Sequence, residues 1–359
     1  MNNFSQTNPY DSALCPHAVS IFFTTTMAII SLAGLIGNFL VIFSVYKTPS
    51  LRTSTNYYYV NMAVSDFIAS FAIWPLYLTD EIITSSGSLL QEPLATAACK
   101  VGAYFRLVST IVSILSLVLI AFNRFVATVF PLKAPLITPK SRAASLFATW
   151  LISIAFSFPA AYHSSVQKVG HETFCRFVWN ELASTIYFVT GLTLFTVSPL
   201  IIIIVLYLRI VRSLRRRVQP QTNTRDSSLQ RNRSRQNQNV IKIFKSVVIA
   251  YFVTYSFYCV YFILKITVPE LSYKDSCKLI LGFTYLVLPS LSTAINPVIL
   301  FVFSSNFRQA LRMLNLFSFR FALNSVHVVS TSVQERDESR PNQAKSSQTQ
   351  CWIYKGKNG

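Results

Sequence analysis

Charge is scarce in this 359-residue chain: Asp, Glu, Lys and Arg together make up 13%, and the acids number only 13 against 32 Lys and Arg. With 52% hydrophobic residues and a positive mean hydropathy, a chain so poor in charge does not read as a soluble domain. The six cysteines include no CxxC pair and no Cys/His cluster, which argues against a metal site of zinc type. Residues 1–17 lack a basic n-region, so no cleaved secretory signal is expected. No internal repeat is visible, which disfavours a seven-helix transporter. No nucleophile, base and orienting partner converge, which disfavours an enzyme. The net charge of +19 sits in a few linkers rather than along one folded face, which sets nucleic acid aside as a partner and points to membrane topology.

Long apolar runs are what the chain has instead. From Cys99 to Phe130 nothing breaks a helix before Pro131, and at 1.5 Å per residue the stretch makes one helix of roughly 45 Å. That exceeds a bilayer core, so this helix has to cross tilted. Its two charges, Arg106 and Arg124, stand eighteen residues apart and share one face at a separation of about 27 Å. Thr110 and Ser113 fall on the same stripe. Such a stripe on a lipophilic helix has to face protein or trapped water; the alternative for each arginine is snorkelling to headgroups. Six further runs, at 19–46, 57–78, 143–162, 184–208, 240–268 and 279–303, complete an all-α bundle of seven transmembrane helices over 19–303. Asp66, a carboxylate at the middle of the second span, is a functional candidate by default, because charge there is costly.

Residues 304–314 set Phe307, Leu311 and Leu314 opposite Arg308 and Arg312, the spacing of a short amphipathic helix on the membrane surface. The stretch 219–239, rich in Gln, Asn, Ser and Arg, and the tail 315–359 read as disordered. The linkers after spans one, three and five and the tail are basic, while those after two, four and six are mixed or acidic. The positive-inside rule therefore puts residues 1–18 outside the cell and the tail in the cytoplasm. Asn3, in the sequon Asn3-Phe4-Ser5, is then a glycosylation candidate.

Several landmarks come in a familiar order. Gly37 and Asn38 lie in the first span; Leu51, Arg52, Thr53 and Asn56 in the linker; Asn61, Ala63 and Asp66 in the second span. Cys99, then Asn123, Arg124 and Phe125, mark the two ends of the third. Trp150, Pro199 and Tyr207 follow, and Asn296 with Pro297 closes the series. Together they resemble the rhodopsin-like (class A) family of G-protein-coupled receptors, from about Val19 to Leu314. The resemblance implies a plasma-membrane receptor that passes an extracellular signal to heterotrimeric G proteins, with arrestin as a further partner and the bilayer as its surroundings. It implies a disulfide between Cys99 and Cys175. Cys15 and Cys277 are external on the same topology and are expected to form a second bridge, the alternative being a free thiol at each. The switch residues it implies are Asn123, Arg124, Phe125, Tyr207, Asn296 and Pro297. Asp66, Asn38, Ser113, Ser292, Thr293 and Asn296 match positions that surround a sodium ion in related receptors, the one cofactor-like group expected. A carboxylate among oxygens suits a hard cation, and plain hydrogen bonding of Asp66 to these groups is the alternative.

The chain also departs from the family pattern. Asn123 replaces the acid next to Arg124, Leu300 replaces a tyrosine in the seventh helix, and Tyr251, Tyr255 and Phe257 stand for the usual Phe, Trp and Pro of the sixth. Loss of a partly buried charge pair at Arg124 is expected to weaken the inactive state and raise basal signalling. Without the proline the usual kink of the sixth helix is in doubt. For the ligand, Arg106 stands where amine receptors carry an aspartate, which argues against an amine. Ser290 stands where opsins carry the retinal lysine, which argues against a light receptor. A peptide, or a small acid whose carboxylate meets Arg106, fits best, with Tyr104, Arg106, Tyr258, Phe262 and Tyr285 as candidate contacts. Arg106 has the alternative of an internal pair with Asp80 or Glu81. The departures keep open a receptor-like scaffold or decoy without G-protein coupling.

Overall fold

The computed structural model describes residues 17–79, 93–130, 137–169, 172–217, 242, 245–257, 259–260, 263 and 287–313. The chain divides into two units, Met1–Leu311 and Arg312–Gly359, and of the second only Arg312 and Met313 are described. Four helices come first: α1 (His17–Lys47), α2 (Ser54–Thr79), α3 (Leu94–Val129) and α4 (Pro139–His163). A hairpin of β1 (Ser164–Val169) and β2 (Glu172–Phe177) follows. Then come α5 (Glu181–Leu192) and α6 (Ser198–Arg217), joined by a π-helical turn at Thr193–Val197. The described chain closes with α7 (Lys245–Phe257), α8 (Leu288–Phe303) and α9 (Ser305–Met313). Helical residues thus occupy each of the seven expected spans. The expected N-terminal segment, third inner linker and tail beyond Met313 lie outside the described residues.

The helices begin where local chemistry tells them to. Thr138 Oγ1 accepts the Ser141 amide at 3.1 Å and Pro139 takes the first turn of α4; Asn180 Oδ1 accepts the Ala183 amide at 2.7 Å, with Glu181 in the first turn of α5. Each cap satisfies an orphan donor, and the acid and the proline suit a helix start. What the helices bury is the reverse of a soluble pattern. On α4 the buried side chains are Thr149, Ser153, Ser157 and Ala160, whereas Phe147, Leu151, Phe158 and Tyr162 are exposed. On α1, Ile29, Leu32, Ile36 and Phe39 run along one side, each more than half exposed, opposite buried Met27, Ile30, Val41 and Val45. Apolar side chains outside and small polar ones inside are favourable only with lipid as the solvent.

α3 is the axis of the bundle. Of its most apolar window 56% is buried, against 39% for α1, 22% for α4 and 17% for the α5–α6 run, and it packs on α2, α4, α6 and β1. It starts at Leu94, earlier than the expected 99, because Pro93 marks the stop there. The fifth span runs on to Arg217, beyond the expected 208; arginine is a good helix former. Two features were not expected from the sequence. The linker after α4 pairs Val166 with Cys175 in an antiparallel hairpin, and the fifth span carries the π turn two residues before Pro199. α8 turns by 92° into α9. There Phe307 and Ala310 are buried and Arg308 and Arg312 exposed, as the amphipathic spacing predicts. The Arg308 guanidinium folds back to donate to the carbonyls of Phe301 and Val302, which have no further turn to bond.

Candidate functional site

A polar core lies halfway along the bundle. Asp66, 2% exposed, receives three side-chain hydrogen bonds: Ser109 and Ser113 of α3 each donate to Oδ1 at 2.8 Å, and Asn296 of α8 donates to Oδ2 at 3.0 Å. One carboxylate thereby ties α2, α3 and α8. A buried carboxylate needs such donors, since an unpaired one carries a heavy desolvation cost. Asn38 of α1 joins from the side, donating to the carbonyls of Gly34 at 2.8 Å and Thr293 at 2.9 Å rather than to the carboxylate. Ser292 and Thr293 donate to carbonyls of their own helix, at Pro289 and Ser290, and line a narrow cavity beside Asp66. Of the six expected residues, the structure brings Ser113 and Asn296 onto Asp66 and sets the other three around it. Ser109 was missed; it lies one turn before Ser113, so helical spacing alone would have found it.

The same cavity extends outward to Arg106, Thr110 and Tyr255. Thr110 Oγ1 donates to the Arg106 carbonyl at 3.0 Å and lies 3.2 Å from the Tyr255 hydroxyl. Tyr255 in turn stacks on Tyr251, ring centroids 4.3 Å apart. One polar-lined cavity therefore spans the distance from the level of Arg106 to Asp66, bordered by α2, α3, α7 and α8. Tyr104 packs edge-on against Phe105 at 5.2 Å. Tyr258, Phe262 and Tyr285 lie outside the described residues, as do Asp80, Glu81, Asn3, Cys15 and Cys277. Phe257, standing for the family proline, is half exposed at the end of α7.

Above this cavity the hairpin is fastened to α3 by the Cys99–Cys175 disulfide, with Cα atoms 5.5 Å apart. An aromatic cluster secures its other end. His163 stacks on Trp179 at 4.1 Å, Phe177 meets Tyr187, and the Tyr187 hydroxyl donates to the Phe156 carbonyl at 2.7 Å.

A second lock joins the middle helices. Asn61 donates to Ser116 Oγ at 2.9 Å and Thr149 Oγ1 at 3.3 Å, and accepts from Trp150 Nε1 at 2.8 Å, so one amide links α2, α3 and α4. Toward the other end of α3, Asn123 donates to Thr55 Oγ1 at 3.0 Å. Arg124 is partly buried, and its Nε has no hydrogen-bond partner among the described residues. Phe125 packs edge-on against Phe130 at 5.7 Å. Tyr207 and Leu300 both belong to the apolar cluster that fills this end, and Pro297 is buried on α8.

A family model described as 7 transmembrane receptor (rhodopsin family) matches residues 37–300. The chain belongs to this family. Rhodopsin-family membership makes it a multi-pass membrane receptor with a seven-helix bundle, not an enzyme. Among curated relatives it is 28% identical to the substance-K receptor of Canis lupus familiaris over 80% of this chain and 74% of that receptor. It is 26% identical to neuropeptide FF receptor 2 of Mus musculus, over 67% of this chain and 59% of that receptor. It is 27% identical to the QRFP-like peptide receptor of Branchiostoma floridae, over 78% and 74%.

Proposed function

We propose that this rhodopsin-family protein is a peptide receptor of the plasma membrane, which binds its ligand among the outer helix ends and signals through heterotrimeric G proteins from its cytoplasmic end. The observation that carries the ligand class is the company the chain keeps: relatives named for substance K, neuropeptide FF and a QRFP-like peptide all align along most of the bundle. The cavity between Arg106, Thr110 and Tyr255 supports it, since its polar lining includes a guanidinium suited to a carboxylate or a carbonyl of the ligand. Arg124, Tyr207, Asn296 and Pro297 are the proposed cytoplasmic switch, and arrestin is a proposed second cytoplasmic partner.

The test is a panel of synthetic neuropeptides applied to cells that express the receptor with a promiscuous G-protein reporter. A saturable response to one peptide, lost in Arg106→Ala and Tyr255→Ala at equal surface level, is expected. A response to amines alone would overturn the ligand assignment.

A sodium ion beside Asp66 belongs to the same proposal. The carboxylate and the Ser109 and Ser113 hydroxyls are hard oxygen donors of the kind such a cation takes. Agonist affinity is expected to fall with added sodium in the wild type and to be indifferent to it in Asp66→Asn. Indifference in both would leave the hydrogen bonds as the whole role of Asp66.

A further inference from the structure

Among the described residues, Arg124 has no carboxylate neighbour. Asn123, the residue beside it, spends its amide on Thr55, and among the described residues the only acids are Asp66, Glu172 and Glu181, none at this end of α3. A guanidinium held partly out of water needs an acceptor. One turn beyond Thr55 on α2, facing α3, is Tyr59. Its side chain is 3% exposed, and its hydroxyl is buried with no hydrogen-bond partner. Two orphaned polar groups therefore stand on packed helices, a donor at Arg124 Nε beside the Asn123–Thr55 contact and, one turn along from Thr55, a phenol able to accept. Buried polar groups rarely go unmatched, and Tyr59 otherwise sits in a mainly apolar cluster with Met62, Leu117 and Ile120, whose other unpartnered hydroxyl among the described residues is that of Tyr251.

We propose that Tyr59 is the positioning residue for Arg124: its hydroxyl accepts from the guanidinium, directly or over one water, and holds the arginine inside the bundle where relatives would use an acid. The pairing itself stands on geometry; its consequence for signalling rests on the receptor reading above. A contact made only while Arg124 is buried favours the buried state, so its loss shifts the population toward the state with Arg124 released.

Two measurements on full-length receptor separate these points. The first is a thermal-melting cycle of wild type, Tyr59→Phe, Arg124→Met and the double variant, purified in detergent. A partnered hydroxyl makes Tyr59→Phe destabilising in the wild type and neutral or stabilising beside Arg124→Met; equal effects in both backgrounds overturn the pairing. If Tyr59→Phe alone fails to reach the surface, the double variant is expected to recover surface expression, and absence of recovery overturns the pairing as well. The second is ligand-independent G-protein signalling per surface receptor. Tyr59→Phe is expected to raise it by about two- to tenfold, and Asn123→Asp added to Tyr59→Phe is expected to bring it back down. A coupled melting cycle with no signal in any variant would keep the pairing and count against G-protein coupling. A silent Tyr59→Phe beside a signalling wild type would overturn the positioning role.

Discussion

At the scale of single residues, the most consequential is Asp66. Its two oxygens collect three donors, so Asp66→Ala would strand all of them in the bundle and is expected to cost about 2–4 kcal/mol of stability, visible as a lower melting temperature of the purified receptor. Asp66 announced itself in the sequence, since a lone carboxylate in an apolar run has to be matched. Its partners were only partly readable: Asn296 and Ser113 came through motif positions and Ser109 did not. Tyr59, the proposed partner of Arg124, gave no sign, because an aromatic in an apolar span reads as packing. What separates Tyr59 from ordinary packing is a buried hydroxyl without a hydrogen-bond partner among the described residues, a property of the folded chain and not of its sequence. For Asn123, hydrogen bonding to Thr55 replaces an ionic contact, and a neutral restraint is weaker than a charged one. Asn123→Asp is therefore expected to lower ligand-independent signalling relative to wild type; an unchanged level would argue against that view of Arg124.

At the scale of elements, the spans were readable because lipid demands long apolar runs, and α9 because its buried and charged positions alternate with helical period. The hairpin and the π turn were not. Strand pairing in a short outer linker depends on the partner strand and on the anchor at Cys175, neither of which imposes a periodicity. The contact of α1 with α8 rests on a missing side chain. A Cβ built on Gly37 would lie 2.7 Å from Cγ of Pro297, and one on Gly34 would lie 2.5 Å from Ser70 Oγ. A proline ring cannot rotate away, so Gly37→Ala is expected to push the two helices apart at a cost of about 1–3 kcal/mol. Melting temperature checks this, with Gly191→Ala as the milder comparison, since its nearest neighbour is a Phe156 edge at 3.1 Å.

At the scale of the whole molecule, the hairpin end of the bundle is a lid braced by a disulfide, and the proposed switch lies at the opposite end. The Cys99–Cys175 bond closes a separation of 76 residues, and Cys175→Ser is expected to destabilise the receptor by about 2–5 kcal/mol. It is also expected to weaken peptide binding more than basal signalling, measured on the same cells. The proposed topology predicts that tags on the two termini are read on opposite faces of unpermeabilised cells. Between lid and switch runs the fifth span, and its π turn sets how the two ends are phased. Tyr187 and Ile203 stand sixteen residues apart and would point about 160° from each other in an unbroken α-helix. The one residue absorbed at Thr193–Val197 cuts that to about 60°, so Tyr187 reaches Phe156 while Ile203 enters the inner cluster. Trimming a single residue from that widened turn would leave a plain α-helix with Tyr187 and Ile203 still about 60° apart, whereas straightening the turn with every residue kept would swing Ile203 and Tyr207 out toward the acyl chains, uncoupling reception from response without touching either site.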